Sequence, residues 1–227
     1  MIVDLPELRE KLRVFKDRQD AGWRLAKMLE AYKDGDAIVL AVPAGGVPVA
    51  AVVAEDLNLF LDLAVVSKIT LPWNTEAGFG AVAFDGTVRL NERMLAGLGL
   101  TEEEIKQRIK ATTSKVQRRL RELRGDRPMP ELAERKVILV DDGIASGFTL
   151  RVAVEALKKK SAKEIVIAVP TGHQESLKRL VDEVKSVYCA NVRSGWSFAV
   201  AEAYKRWSDV GQTEALEILK RFSRDST

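Results

Sequence analysis

The sequence predicts an α/β fold built on a doubly wound, mainly parallel sheet, and three observations carry that expectation. Val137 to Val140 is an uninterrupted apolar run, as expected of a strand covered on both faces, since a half-solvated strand would alternate polar and apolar positions. It leads into Asp141-Asp142-Gly143 and then into small residues that open a helix running to about Lys160. A second unit of the same kind lies upstream, where Ala37 to Val42 reads as a strand, Pro43 to Pro48 as a glycine-containing loop and Val49 to Leu57 as an apolar helix. Strand–loop–helix units joined by right-handed crossovers place their loops on one edge of a parallel sheet, where open α/β sheets bind ligands. The length of 227 residues suits one domain over 1–227, able to bury a core without staples.

The remaining elements follow in chain order. A first helix is expected over about Arg18 to Lys33, with Trp23, Leu25, Ala26, Met28 and Leu29 apolar and Asp34-Gly35 ending it. After the Val49–Leu57 helix, Leu61 to Ile69 reads as one strand. Residues 70–86, rich in Pro, Trp, Asn, Glu and Gly, read as a long loop and lid, with a short strand pair at Gly80–Phe84 and Thr87–Leu90. Thr101-Glu-Glu-Glu104 is a capping box opening an inserted helix to about Arg124, with Gly125 past its end. Its apolar stripe is Ile105, Ile109, Val116, Leu120 and Leu123. Lys106, Arg108, Lys110, Lys115, Arg118, Arg119, Arg121 and Arg124 form a basic face, read as solvated charge or as a surface tracking nucleic-acid phosphates. Strands are expected at Ile165–Pro170 and Val187–Val192, and a small C-terminal hood over about 191–227.

Gly143, Ala145, Ser146 and Gly147 leave room for a phosphate to approach backbone amides, and Thr149 adds a hydroxyl near a helix N-terminus. An ordinary strand, Asp-Gly turn and cap is the plainer account. The run from Val137 to Thr149 resembles the signature of the type I phosphoribosyltransferases: an apolar strand, two acids and a small Ser/Thr-Gly-x-Ser/Thr loop. Phe15, Asp17, Arg18, Ala21, Gly22, Leu25 and Ala26 are similar to a pattern preceding the first core strand in one poorly characterised branch of that family. The resemblance implies that Asp141 and Asp142, the catalytic pair, hold the ribose hydroxyls of 5-phosphoribosyl 1-diphosphate, while Ala145, Ser146, Gly147, Phe148 and Thr149 wrap its 5-phosphate. It implies Mg²⁺ held mainly through the diphosphate, with Asp141 or Asp142 as candidate ligands, and a homodimer.

The diphosphate would meet Ala44, Gly45, Gly46 and Lys68, the two glycines supplying amides and an unusual backbone conformation. In the resembling family a basic residue commonly stands where this chain has Ala44, and an Arg-Lys pair where it has Ser67-Lys68. Arg89 or Arg93 are candidates to replace the missing charge. Trp73, Asn74 and Glu76 belong to the lid, which would exclude water from an oxocarbenium-like centre. Trp196, Phe198, Tyr204 and Trp207 are candidates to stack on a planar acceptor, Trp196 and Phe198 foremost, with core packing as the alternative for these hood aromatics. Purine enzymes acting on 6-oxo bases usually carry an aspartate where this chain has Ala145, so a 6-oxopurine acceptor is disfavoured.

Other chemistries find little support. One histidine, His173, removes most paired-imidazole hydrolase and metal chemistry. Ser146 lacks the flanking glycines of a nucleophile elbow, because Ile144 and Phe148 occupy those places. Gly78 to Ala83 spells G-x-G-x-x-A without the strand before and helix after that a dinucleotide fingerprint needs. A net charge of +3 does not argue for nucleic acid, the lone Cys189 excludes an internal disulfide framework, and no apolar run reaches membrane-spanning length. A cytoplasmic glycosyltransferase transferring ribose 5-phosphate to an unidentified acceptor, with diphosphate released, is the expectation. A non-catalytic sugar-phosphate sensor, contacting nucleic acid through the 101–124 helix, is the alternative.

Overall fold

The computed structural model describes residues 1–222, apart from the side chains of Thr75 and Glu76. In chain order the elements are β1 (Ile2–Val3), α1 (Arg18–Met28), β2 (Ile38–Ala41), α2 (Gly46–Leu57), β3 (Phe60–Leu63), β4 (Val66–Leu71), β5 (Asn74–Ala83), β6 (Val88–Leu90) and α3 (Glu92–Leu95). There follow α4 (Glu102–Arg124), β7 (Lys136–Val140), α5 (Phe148–Lys159), β8 (Glu164–His173), α6 (Gln174–Val181), β9 (Ser186–Arg193) and α7 (Gln212–Phe222). Among the described residues, six strands form one sheet in the order β1-β9-β8-β7-β2-β3, every neighbouring pair parallel. The apolar strands β2 and β7 lie side by side at its centre, with Ala41 opposite Val140, and both are buried on their two faces.

Chain direction across the sheet reverses between these two strands. From β2 the chain crosses through α2 to β3 on one side, and from β7 it crosses through α5 and α6 to β8 and β9 on the other. With right-handed crossovers, opposite directions put the crossover helices on opposite faces, so the sheet is doubly wound and its switch point lies between β2 and β7. Helix α1 lies across α2, β8 and β9. Gly22 permits this approach, because a Cβ there would meet Val52 Cβ at 2.7 Å.

Segment 61–86 departs from expectation. The expected strand Leu61–Ile69 is two strands: β3 ends in the main sheet at Leu63, and β4 begins a separate antiparallel sheet, β4-β5-β6. No Gly or Pro marks the break, and Leu61, Leu63, Ala64, Val65 and Val66 are all buried. The expected long loop over 70–86 is a hairpin, turning at Pro72-Trp73 into the ten-residue β5. Its glycines serve close strand packing rather than looseness: a Cβ on Gly80 would meet the Arg89 carbonyl at 2.7 Å, and one on Gly78 would meet Lys68 Cβ at 3.1 Å.

Helix α4 has the expected capping box, in which the Glu104 N–H donates to Thr101 Oγ1 and the Thr101 N–H donates to Glu104. Arg124 is not part of a solvated basic face. It turns inward, its Nε 3.0 Å from Asp62 Oδ1 and its Nη2 donating to the Leu63 carbonyl, an ion pair with side chains only 8% and 4% exposed. The expected hood over 191–227 divides: Asn191 to Arg193 complete β9, and α7 packs on α2, α4 and β3. Asn191 is buried, donating to the Leu8 and Lys11 carbonyls and accepting from Thr171 Oγ1, which ties the N-terminal segment to the sheet. Cys189 lies in the core, where burial raises its thiol pKa. No helix among the described residues is long and apolar enough to cross a membrane.

Candidate functional site

The loops that follow β2 and β7 meet at the switch point and depend on each other for their shape. Gly45 has ordinary right-handed backbone angles (φ −58°, ψ −36°), so the expected unusual conformation is absent there. The glycine is needed for space: a Cβ would stand 2.1 Å from Asp142 Oδ2. At Gly46 it would stand 2.7 Å from the Val140 carbonyl and 2.9 Å from Asp141 Cα. The first loop therefore rests directly on the two acids. The Pro43–Ala44 peptide within it is cis. The Gly46 N–H donates to Val42 O and the Val47 N–H to Ala44 O, leaving the Ala44 and Gly45 amides without hydrogen-bond partners among the described residues.

The second loop offers a row of amides. Gly147 caps α5 with φ +72°, a left-handed conformation that suits glycine. The Phe148 N–H reaches Ser146 Oγ at 3.3 Å, whereas the amides of Ala145, Ser146, Gly147 and Thr149 donate to nothing among the described residues. The loop is pinned by Ser176 Oγ donating to the Ala145 carbonyl at 2.6 Å, and by the Ile144 N–H donating to Thr171 O. Free amides at a helix N-terminus suit an anion.

The two acids have different surroundings. Asp141 borders an open cleft beside the β2 and β7 ends and accepts from the Asp142 N–H through Oδ1. Burial and, after it, the charge of Asp142 push its pKa well above the ordinary aspartate value. Asp142 is also raised by burial, but Arg18 opposes the shift. Arg18 places Nε 3.0 Å and Nη2 2.9 Å from Asp142 Oδ2 and donates through Nη1 to the Ser208 carbonyl. Its guanidinium lies 3.8 Å from the Trp207 ring centroid. Tyr204 donates its hydroxyl to the Asp142 carbonyl at 2.6 Å. Backbone hydrogen bonds from Phe15 to Ala203 and from Lys205 to Phe15 fasten the two segments, and Arg206 pairs with Asp17, the residue capping α1.

The site residues expected from sequence are partly gathered here. Asp141, Lys68 and Thr149 border the same cleft, together with Val42, Pro43, Val66, Ser67, Thr70, Lys115 and Arg119. Trp73 is exposed at the hairpin tip and Asn74 begins β5; the Glu76 side chain lies outside the described residues. Trp196 stands wholly in solvent, while Phe198 packs edge-on against His173, the last residue of β8, and lies under Arg193. The structure thus gives the two aromatics different surroundings. Arg89 pairs with Glu155 on α5 and does not border the cleft, so it does not replace the missing charge. Arg18, Lys115 and Arg119 join the site without a sequence assignment to it, although Arg18 stands in the family-like N-terminal pattern and Lys115 and Arg119 in the basic face; Tyr204, expected as a stacking aromatic, instead holds the Asp142 carbonyl.

A doubly wound α/β fold with two small-residue loops meeting at its switch point, one of them following an adjacent acid pair, places the loops where open α/β proteins bind their ligands. The chain belongs to the phosphoribosyl transferase domain family, whose description it matches over residues 19–205. It is 33% identical over 214 residues to a Mycobacterium tuberculosis protein named "Putative phosphoribosyl transferase Rv0571c", the match covering 94% of this chain and 48% of that protein. The chain therefore spans about half the length of the curated relatives it matches. Among solved structures it is similar to TT1426 from Thermus thermophilus, with 29% identity, a TM-score of 0.74, and 93% of this chain and 99% of that chain covered. The AQ2163 protein from Aquifex aeolicus shares the fold at 16% identity and a TM-score of 0.50, over 86% of this chain and 88% of that one.

Proposed function

We propose that this protein transfers ribose 5-phosphate from 5-phosphoribosyl 1-diphosphate to an acceptor other than a 6-oxopurine, releasing diphosphate. The observation that carries the reading is the meeting of Gly45-Gly46 with Asp141-Asp142 beside the free amides of 145–149. A 5-phosphate on those amides would sit at the N-terminus of α5, and the sugar would then lie over the acids. Asp141, facing the cleft, accepts from a ribose hydroxyl and faces the positive charge that develops on the sugar as the anomeric bond breaks. Arg18 and Tyr204 position Asp142 from behind rather than meeting the substrate. The Ala44 and Gly45 amides donate to the departing diphosphate.

Mg²⁺ fits this donor set in one way. The described residues contain no group of three or more His, Cys, Asp or Glu able to cage a metal, but this cation is commonly held by one or two carboxylates together with substrate phosphates. Asp141 is the carboxylate available in the cleft. When bound, the cation would neutralise charge on the diphosphate.

Incubation with 5-phosphoribosyl 1-diphosphate, Mg²⁺ and a panel of pyrimidine, adenine-like and non-base acceptors tests the reading through diphosphate release. Asp141→Asn combined with Asp142→Asn is expected to lower kcat/KM by at least about 100-fold, the scale of losing preorganised electrostatic stabilisation. Release that is undiminished in this variant would remove the acids from the mechanism. Tight binding without release under every acceptor would favour the sensor reading, which the uncharged Ala44 and Ser67 positions motivate.

A further inference from the structure

We propose that α4 supplies the cationic wall for the diphosphate: Lys115 and Arg119, with Lys68 from β4 opposite, bind the leaving group's phosphoryl oxygens, and Ser67 Oγ adds a hydrogen bond. This rests on the substrate reading above and names which residues serve its diphosphate. The cleft they share has a volume of about 270 Å³ and opens against Asp141 and Thr149. Three cations border it with one carboxylate, so its charge selects a polyanion. Among the described residues, none of Lys68, Lys115 and Arg119 forms an ion pair or a side-chain hydrogen bond, whereas neighbouring Arg118 lies 3.9 Å from Glu122 and Arg124 is buried against Asp62.

The position of Arg119 is informative. Thr112, Val116 and Leu123 are the buried residues of α4, and at helical spacing residue 119 falls on the same inward stripe, where an apolar side chain would serve packing better. Arg119 is half-buried there, and burial lowers its pKa, with Glu122 pulling the other way. A cation kept on an inward stripe without a partner is stabilised when an anion arrives. Lys115, four residues earlier, sits on the adjoining face one turn away. A separate observation points into the same cleft: Ser67 is 5% exposed, and its Oγ has no hydrogen-bond partner among the described residues. Buried hydroxyls are ordinarily paired, so this one is poised for a ligand. The charge missing at Ala44 and Ser67 is thus supplied from a different element.

Calorimetric titration with inorganic diphosphate is the test, with ribose 5-phosphate as the second probe. Lys115→Ala and Arg119→Gln are each expected to weaken diphosphate binding about tenfold, the scale of one charge-assisted hydrogen bond, and the double variant about 100-fold. Arg119→Lys should recover most of the loss, Arg118→Ala should change nothing, and rising salt should weaken the wild type more than the double variant. Ribose 5-phosphate, held by the 145–149 loop, should bind all of them alike. Lys115 is exposed, so Lys115→Ala isolates charge from folding. If the wild type turns over 5-phosphoribosyl 1-diphosphate while the double variant binds diphosphate within about twofold of it, the assignment to α4 is overturned and the substrate reading stands. If the wild type neither turns over nor binds 5-phosphoribosyl 1-diphosphate, both fall.

Discussion

Arg18→Ala is expected to destabilise the protein by about 3 kcal/mol, the cost of stranding one partner of a buried ion pair. The two side chains are only 10% and 16% exposed, and Arg18 is the cation that Asp142 touches. Removing it leaves a carboxylate already raised by burial without its counter-charge, and also releases the Ser208 carbonyl and the Trp207 ring. Stability and site geometry should therefore fail together. Urea unfolding monitored through tryptophan fluorescence would read the loss, and Asp142→Asn in the Arg18→Ala background should recover part of it, because a neutral amide costs less to bury unpaired. An unchanged unfolding midpoint for Arg18→Ala would contradict the role given to this pair.

Gly46→Ala is expected to cost about as much, ~3 kcal/mol, for a different reason. Its Cβ would stand 2.7 Å from the Val140 carbonyl and 2.9 Å from Asp141 Cα, both main-chain atoms of the central strand end that cannot rotate away. Either the loop lifts from the acids or β7 shifts at its carboxyl end, and both outcomes open the cleft. Gly45→Ala meets a side chain instead, Asp142 Oδ2, so its first effect should be on substrate binding through a displaced carboxylate. Gly211→Ala, with nothing within 4 Å, is the control and should stay within about 0.5 kcal/mol of wild type. Thermal unfolding of the three variants separates them, and equal melting temperatures for Gly46→Ala and Gly211→Ala would contradict the packing described.

The central units are legible in the sequence because their signals are local. Four apolar residues, two acids and a glycine-containing turn mark the β7 loop in one stretch, and β2 with its loop repeats the form. What sequence does not supply is the register between them: Ala41 lies opposite Val140, and that pairing brings Gly45 onto Asp142. The pairing of β5 with β6 is read in advance as the strand pair at Gly80–Phe84 and Thr87–Leu90, whereas the β4–β5 hairpin escapes a sequence reading because Gly78 and its neighbours have the composition of a loop. The split between β3 and β4 is hidden by continuous apolar residues. Arg18, Lys115 and Arg119 escape assignment because charge on a helix reads as surface until its partners across the fold are seen. Tyr204 looks like a core or hood aromatic, and its hydroxyl contact with Asp142 spans 62 positions.

The claim that the switch-point cleft binds a ribosyl diphosphate is tested most directly by titrating 5-phosphoribosyl 1-diphosphate with Mg²⁺ into the wild-type protein and into the Asp141→Asn variant. Saturable binding by the wild type, weakened at least about tenfold in the variant while its melting temperature stays at or above the wild-type value, is the predicted result. Replacing the raised, buried Asp141 carboxylate by an amide removes charge that burial and Asp142 disfavour and leaves the Arg18–Asp142 pair intact, so folding should not suffer. Equal affinity in the two proteins, or no binding by the wild type, would contradict it.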